Sequence, residues 1–89
     1  MARLDFGSLE HIELSAQNGA ADALYQLGLM YSAGRDVELD LIAAHKWFNL
    51  AALRGNQDAK VLRQEIAGEM SRSEIAKAQR AARRWLSTN

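Results

Sequence analysis

The chain has 89 residues, enough for one small domain with one modest core and too few for two. Apolar residues make up 48% of it, which excludes a disordered chain, and its formal net charge of zero argues against a general nucleic-acid or membrane binder. It has no Pro and no Cys, so disulfide frameworks and thiolate chemistry are excluded. Ala, Leu, Glu, Arg and Gln are plentiful and β-branched residues never alternate, so the expected class is all-α.

The charge is uneven along the chain. Residues 1–56 carry four Lys/Arg against seven Asp/Glu, and residues 57–89 carry seven against four, so a −3 part precedes a +3 part. The start, MARLDFGSLEHIEL, has no long apolar core behind a basic end and does not read as a signal peptide. No stretch approaches the roughly 20 apolar residues of a membrane span. The expectation is a soluble, cytoplasmic protein with no membrane partner.

Met1–Gly7 reads as a lead-in with Leu4 and Phe6 available to pack, and Ser8 as an N-cap. Leu9, Ile12, Leu14 and Ala16 predict a first helix over Leu9–Gln17, closed by Asn18-Gly19. The second, about Ala20–Ala33, is apolar nearly all round, and such a helix must be covered on several sides. Gly28 inside it costs roughly 1 kcal/mol relative to Ala, a cost that close approach of a neighbouring helix would explain. A loop follows, Gly34-Arg35-Asp36-Val37-Glu38-Leu39, in which Val37 is placed to plug the core. Asp40 is the N-cap candidate for a third helix, about Leu41–Arg54, whose stripe is Leu41, Ala44, Trp47/Phe48 and Ala51/Ala52. A fourth helix, about Gln57–Met70, carries Ala59, Leu62 and Ile66. Ser71-Arg72-Ser73-Glu74 matches a capping box and opens a fifth, about Arg72–Leu86, beyond which the chain is expected to fray.

A shift of 36 residues superimposes Leu14 on Leu50, Ala16 on Ala52, Gly19 on Gly55, Asp22 on Asp58 and Ala23 on Ala59. Further on, a shift of 38 brings Ala43, Ala44 and Trp47 onto Ala81, Ala82 and Trp85. A period in the mid-thirties with two helices per unit predicts an α-solenoid. Ala23, Leu27-Gly28, Tyr31, Gly34, Val37, Asp40, Ala44, Trp47, Ala51-Ala52 and Gly55 together resemble the Sel-one-like repeat, a relative of the tetratricopeptide repeat. The match covers Ala21–Asn56 once. It implies a short α-α superhelix of about five helices in a single 1–89 domain. Residues 8–19 would be the helix of a partial preceding repeat, 20–56 a full repeat, and 57–89 a degenerate repeat or C-terminal cap similar to that of small bacterial proteins of the family. The family's loop commonly reads Gly-x-Gly-Val-Pro. Here Asp36 stands for the second Gly and no Pro follows, although Asp tolerates positive φ better than most residues.

No chemical constellation competes with that reading. His11 and His45 lack further ligands at matched spacing, so no metal site is expected, and His45 is expected to be an exposed or half-buried helix residue. Asp22 and Asp58 sit near helix starts, where carboxylates are favoured. Gly28 and Gly34 belong to no phosphate loop. Trp47 and Trp85 are expected in the core. Tyr25, Leu29 and Ser32 either pack on a neighbour or line a groove. The expectation is therefore no catalytic residue, no cofactor and no enzyme.

The basic residues Lys77, Arg80, Arg83 and Arg84 come without interleaved aromatics, which disfavours nucleic acid. The resemblance implies a non-catalytic adaptor that binds a protein or peptide. Contacts are expected on the first helix of each unit, at Gln26, Met30, Lys60, Arg63 and Gln64. The alternative is a self-assembling module whose acidic and basic parts join copies into homo-oligomers.

Overall fold

A computed structural model describes residues 9–88. The expectations for Met1–Gly7, for Ser8 as a cap and for Asn89 lie outside them. The described residues form five α-helices: α1 Leu9–Gln17, α2 Ala21–Ala33, α3 Leu41–Leu53, α4 Gln57–Ala67 and α5 Arg72–Thr88. The all-α expectation holds.

Local chemistry sets most boundaries. The Asp40 carboxylate accepts from Ala43 N at 3.1 Å and starts α3, and the Asn56 side chain accepts from Ala59 N at 2.9 Å and starts α4. The capping box closes reciprocally: Ser71 N donates to Glu74 Oε1 at 2.9 Å, and Glu74 N donates to Ser71 Oγ at 3.1 Å. Helix α4 ends three residues earlier than its apolar stripe suggests, because Gly68 caps it and the next box already begins at Ser71. Helix α5 runs on through Ser87 and Thr88, whose hydroxyls donate to the Arg84 carbonyl at 2.9 and 3.1 Å. The fraying expected there does not occur at these two residues. In the loop, Asp36 takes φ 66°, the left-handed conformation that the missing glycine would have supplied, and Val37 packs on the core.

The 36-residue register is visible in the backbone. Gly19 N donates to Ala16 O and Ala20 N to Ser15 O; 36 residues on, Gly55 N donates to Ala52 O and Asn56 N to Ala51 O. Gly19 and Gly55 adopt φ 80° and 101°, so both turns end a helix by the same paired bonds.

Helix α2 packs on α1 and α3, and α3 packs on α2, α4 and α5, so these two form the centre. Phe48, Leu24, Leu27 and Leu50 are fully buried there. Gly28 is the closest point between α2 and α3: a Cβ placed on it would lie 2.4 Å from Cδ1 and Cε1 of Phe48. Tyr25 completes the contact, its ring 5.9 Å from that of Phe48. Helix α5 leans on α3 and does not pair closely with α4. The register explains why. Gln64 stands where Gly28 would recur, and Leu86, which matches Phe48 at the shift of 38, is 41% exposed. The glycine-to-ring contact that draws α2 and α3 together has no counterpart between α4 and α5.

Candidate interaction surface

The residues expected to make contacts divide in the structure. Gln26, Lys60 and Gln64 are exposed. Arg63 is half-buried, and its guanidinium donates to Asn49 Oδ1 at 2.6 Å, tying α4 to α3. Met30 is 2% exposed and belongs to the core, on the face of α2 that the neighbouring helices cover. The first-helix pattern therefore presents three surface residues, one structural clamp and one core residue.

His45 is also placed differently from its expectation. It is 4% exposed, and its Nδ1 is buried without a hydrogen-bond partner. Burial lowers its pKa below the ordinary 6.5, and the nearby Arg63 charge lowers it further, so the imidazole is held neutral. Of the stripe Tyr25, Leu29 and Ser32, the first two pack against the core, and the Ser32 hydroxyl donates to the Leu29 carbonyl at 3.1 Å.

The tryptophans, expected in the core, pack against it from its edge. Trp47 and Trp85 meet edge to face, centroids 6.3 Å apart at 81°, yet both are only half-buried. Together with Leu27 and with Glu13, Ala16 and Gln17 of α1 they line a groove of ≈ 360 Å³. A second recess of ≈ 280 Å³ is lined by Lys46, Ala81, Arg84, Trp85 and Thr88, so Trp85 is common to both. The Lys46 ammonium lies 3.9 Å from the centre of the Trp47 ring. Its pKa is lowered by burial, an effect that Asp40 partly opposes. Sequence reasoning placed Arg84 in a basic stripe of the last helix but did not pair either cation with its tryptophan. The signal was present: at the shift of 38, Lys46-Trp47 falls on Arg84-Trp85, a cation before each indole.

A third depression, ≈ 320 Å³, lies between the starts of α2 and α4 and is lined by Asp22, Asp58, Arg54 and Gly55 among others. Each Asp occupies the first turn of its helix, as expected. Among the described residues, no group of three or more His, Cys, Asp or Glu could hold a metal ion, and no helix is long and apolar enough to cross a membrane.

The fold thus defines a five-helix all-α protein with grooves on its helical faces and a repeated turn. Compared with known proteins, residues of the chain are 34% identical over 67 positions to the alginate biosynthesis protein AlgK of Azotobacter vinelandii. The match covers 75% of this chain and 15% of that protein, so the chain spans only a small part of its relative's length. No protein-family model matches the chain, and no solved structure does.

Proposed function

We propose that the chain is a non-catalytic interaction module of Sel-one-like type, binding a protein or peptide through its helical surface. The observation that carries this reading is the pair of turns at Gly19 and Gly55, built from equivalent hydrogen bonds 36 residues apart. A two-helix unit repeated in this way buries its apolar faces on its neighbours and leaves extended surfaces for a partner. In this reading 20–56 is the complete unit, 8–19 a partial preceding one, and 57–89 a degenerate one serving as a cap. The similarity to AlgK supports the reading and directs the search for a partner towards proteins of alginate or related polysaccharide biosynthesis.

The proposed contact surface is Gln26, Lys60 and Gln64, with the outer edge of Arg63. Affinity capture with the wild-type chain, compared with Lys60→Glu and Gln64→Ala, tests it. Loss of a captured protein in the variants is the expected result. Retention of every captured protein would remove this surface from the reading, and capture of none by the wild type would remove the reading itself.

A further inference from the structure

The two helical ends of the register are not equally covered. Leu14 and Leu50 occupy equivalent positions, yet Leu50 is fully buried and Leu14 is 63% exposed. The cause is the number of neighbours: α3 is enclosed by α2, α4 and α5, whereas α1 packs on α2. One turn before Leu14 on the same face stands Glu10, also exposed. Helix α1 therefore presents an outward stripe with an apolar residue next to a carboxylate.

The groove beside the tryptophans has the complementary chemistry. Its volume of ≈ 360 Å³ falls at the lower end of ligand-site sizes, about 300–1,000 Å³, which suits one anchoring side chain. Past Trp85 the lining turns cationic, with Lys46 and Arg84. Glu13 also lines the groove, so an acidic group is favoured towards Lys46 and Arg84 and disfavoured near α1. We propose that a second copy of this chain docks the Glu10–Leu14 stripe of its α1 on this surface, with Leu14 beside the two indoles and Glu10 towards Lys46 and Arg84.

Several features bear on this occupant. Glu10 belongs to the −3 part of the chain and Arg84 to the +3 part, so the contact joins unlike charges. The Lys46 ammonium rests on an aromatic face and is partly desolvated, so a carboxylate beside it restores what burial removed.

The test is sedimentation equilibrium of the whole chain at low and high salt, read together with tryptophan emission, since both indoles of the protein line the groove. The weight-average mass should rise above that of the monomer with concentration between about 10 µM and 1 mM, as expected of a small transient contact. Added salt should weaken the association, and emission should move to the blue as copies join. Arg84→Glu and Leu14→Gln, both at exposed positions, should each lower the association constant about tenfold or more with the far-ultraviolet spectrum unchanged. Glu10→Arg mixed with Arg84→Glu should restore the association that neither variant shows alone. A monomer at every concentration overturns the proposal, as does assembly indifferent to Arg84→Glu. A monomer whose Arg84→Glu variant loses a partner captured by the wild type assigns the groove to a foreign chain. That result also overturns the proposal and leaves the protein-binding reading intact.

Discussion

Replacing Gly28 by Ala should destabilise this protein, although Ala is the better helix former. Propensity alone favours the substitution by about 1 kcal/mol in a helix interior. The structure opposes it. The new Cβ would lie 2.4 Å from Cδ1 and Cε1 of Phe48 and 2.9 Å from its Cγ. Contact distances there must grow by roughly 1 Å to reach ordinary packing. Phe48 has no exposed side on which to yield, and α2 is held by both α1 and α3. Overpacking of a filled core costs about 1–3 kcal/mol, and three close ring atoms place this site at the upper end. The net loss is then about 2 kcal/mol, or a fall of about 8–16 °C in melting temperature for a domain of this size. Thermal and urea unfolding followed by far-ultraviolet circular dichroism measures it. Phe48→Val removes the two closest atoms, and in that background Gly28→Ala should cost less than about 1 kcal/mol or become stabilising. A Gly28→Ala variant that melts higher than wild type would refute the argument, because propensity would then outweigh the contact.

Three further outcomes follow from the same structure. Stability should fall on acidification below pH 6.5, because the unfolded state protonates His45 there while the folded state, with its lowered pKa, does not; the loss should develop progressively down towards the folded pKa. Urea midpoints from pH 7.5 to 5 check this, and Arg63→Gln, by relieving one of the two causes, should shrink the slope. Asp40→Ala and Asn56→Ala should each cost about 1 kcal/mol through loss of an N-cap bond, measured by chemical denaturation. Leu50→Ala should cost about 2–5 kcal/mol, whereas Leu14→Ala, at the equivalent position, should stay within about 0.5 kcal/mol in the monomer.

Short-range chemistry made most of the fold legible in the sequence. Asp40 and the Ser71–Glu74 box name their own helix starts, and the 3.6-residue stripes place all five helices. Gly28 announced a close approach before any partner was identified, and the structure supplies Phe48. The surface was less legible, because exposure depends on which helix faces which. Met30 and Lys60 look alike as first-helix positions, yet α2 lies between two helices and loses Met30 to the core. His45 reads as a polar residue on a helix and is expected near solvent. Its burial follows from the packing of α3 on α2, α4 and α5, which the residue type does not announce.

The tryptophans show how a repeat can mislead when its units are unequal. In a stack of equal units, Trp47 would be covered by the following unit, and the core reading would be right. Here the following unit has Gln64 in place of the glycine and an exposed Leu86 in place of the phenylalanine. Without that contact α4 and α5 do not close on each other, and α5 settles against α3 instead, bringing Trp85 edge-on to Trp47. The pair is then too loosely covered to be core and too well packed to be incidental surface. The same erosion that weakens the repeat thus opens its groove, and Lys46 and Arg84 line a recess beside Trp85. A designed Gln64→Gly, Leu86→Phe double variant supplies the missing pair and should draw α4 and α5 together. Nearest-neighbour packing would then stabilise the chain, and exposure of the two tryptophans to acrylamide quenching would change with it. If the variant leaves quenching unchanged, the glycine-to-ring contact is not what separates the closed α2–α3 pair from the open α4–α5 pair.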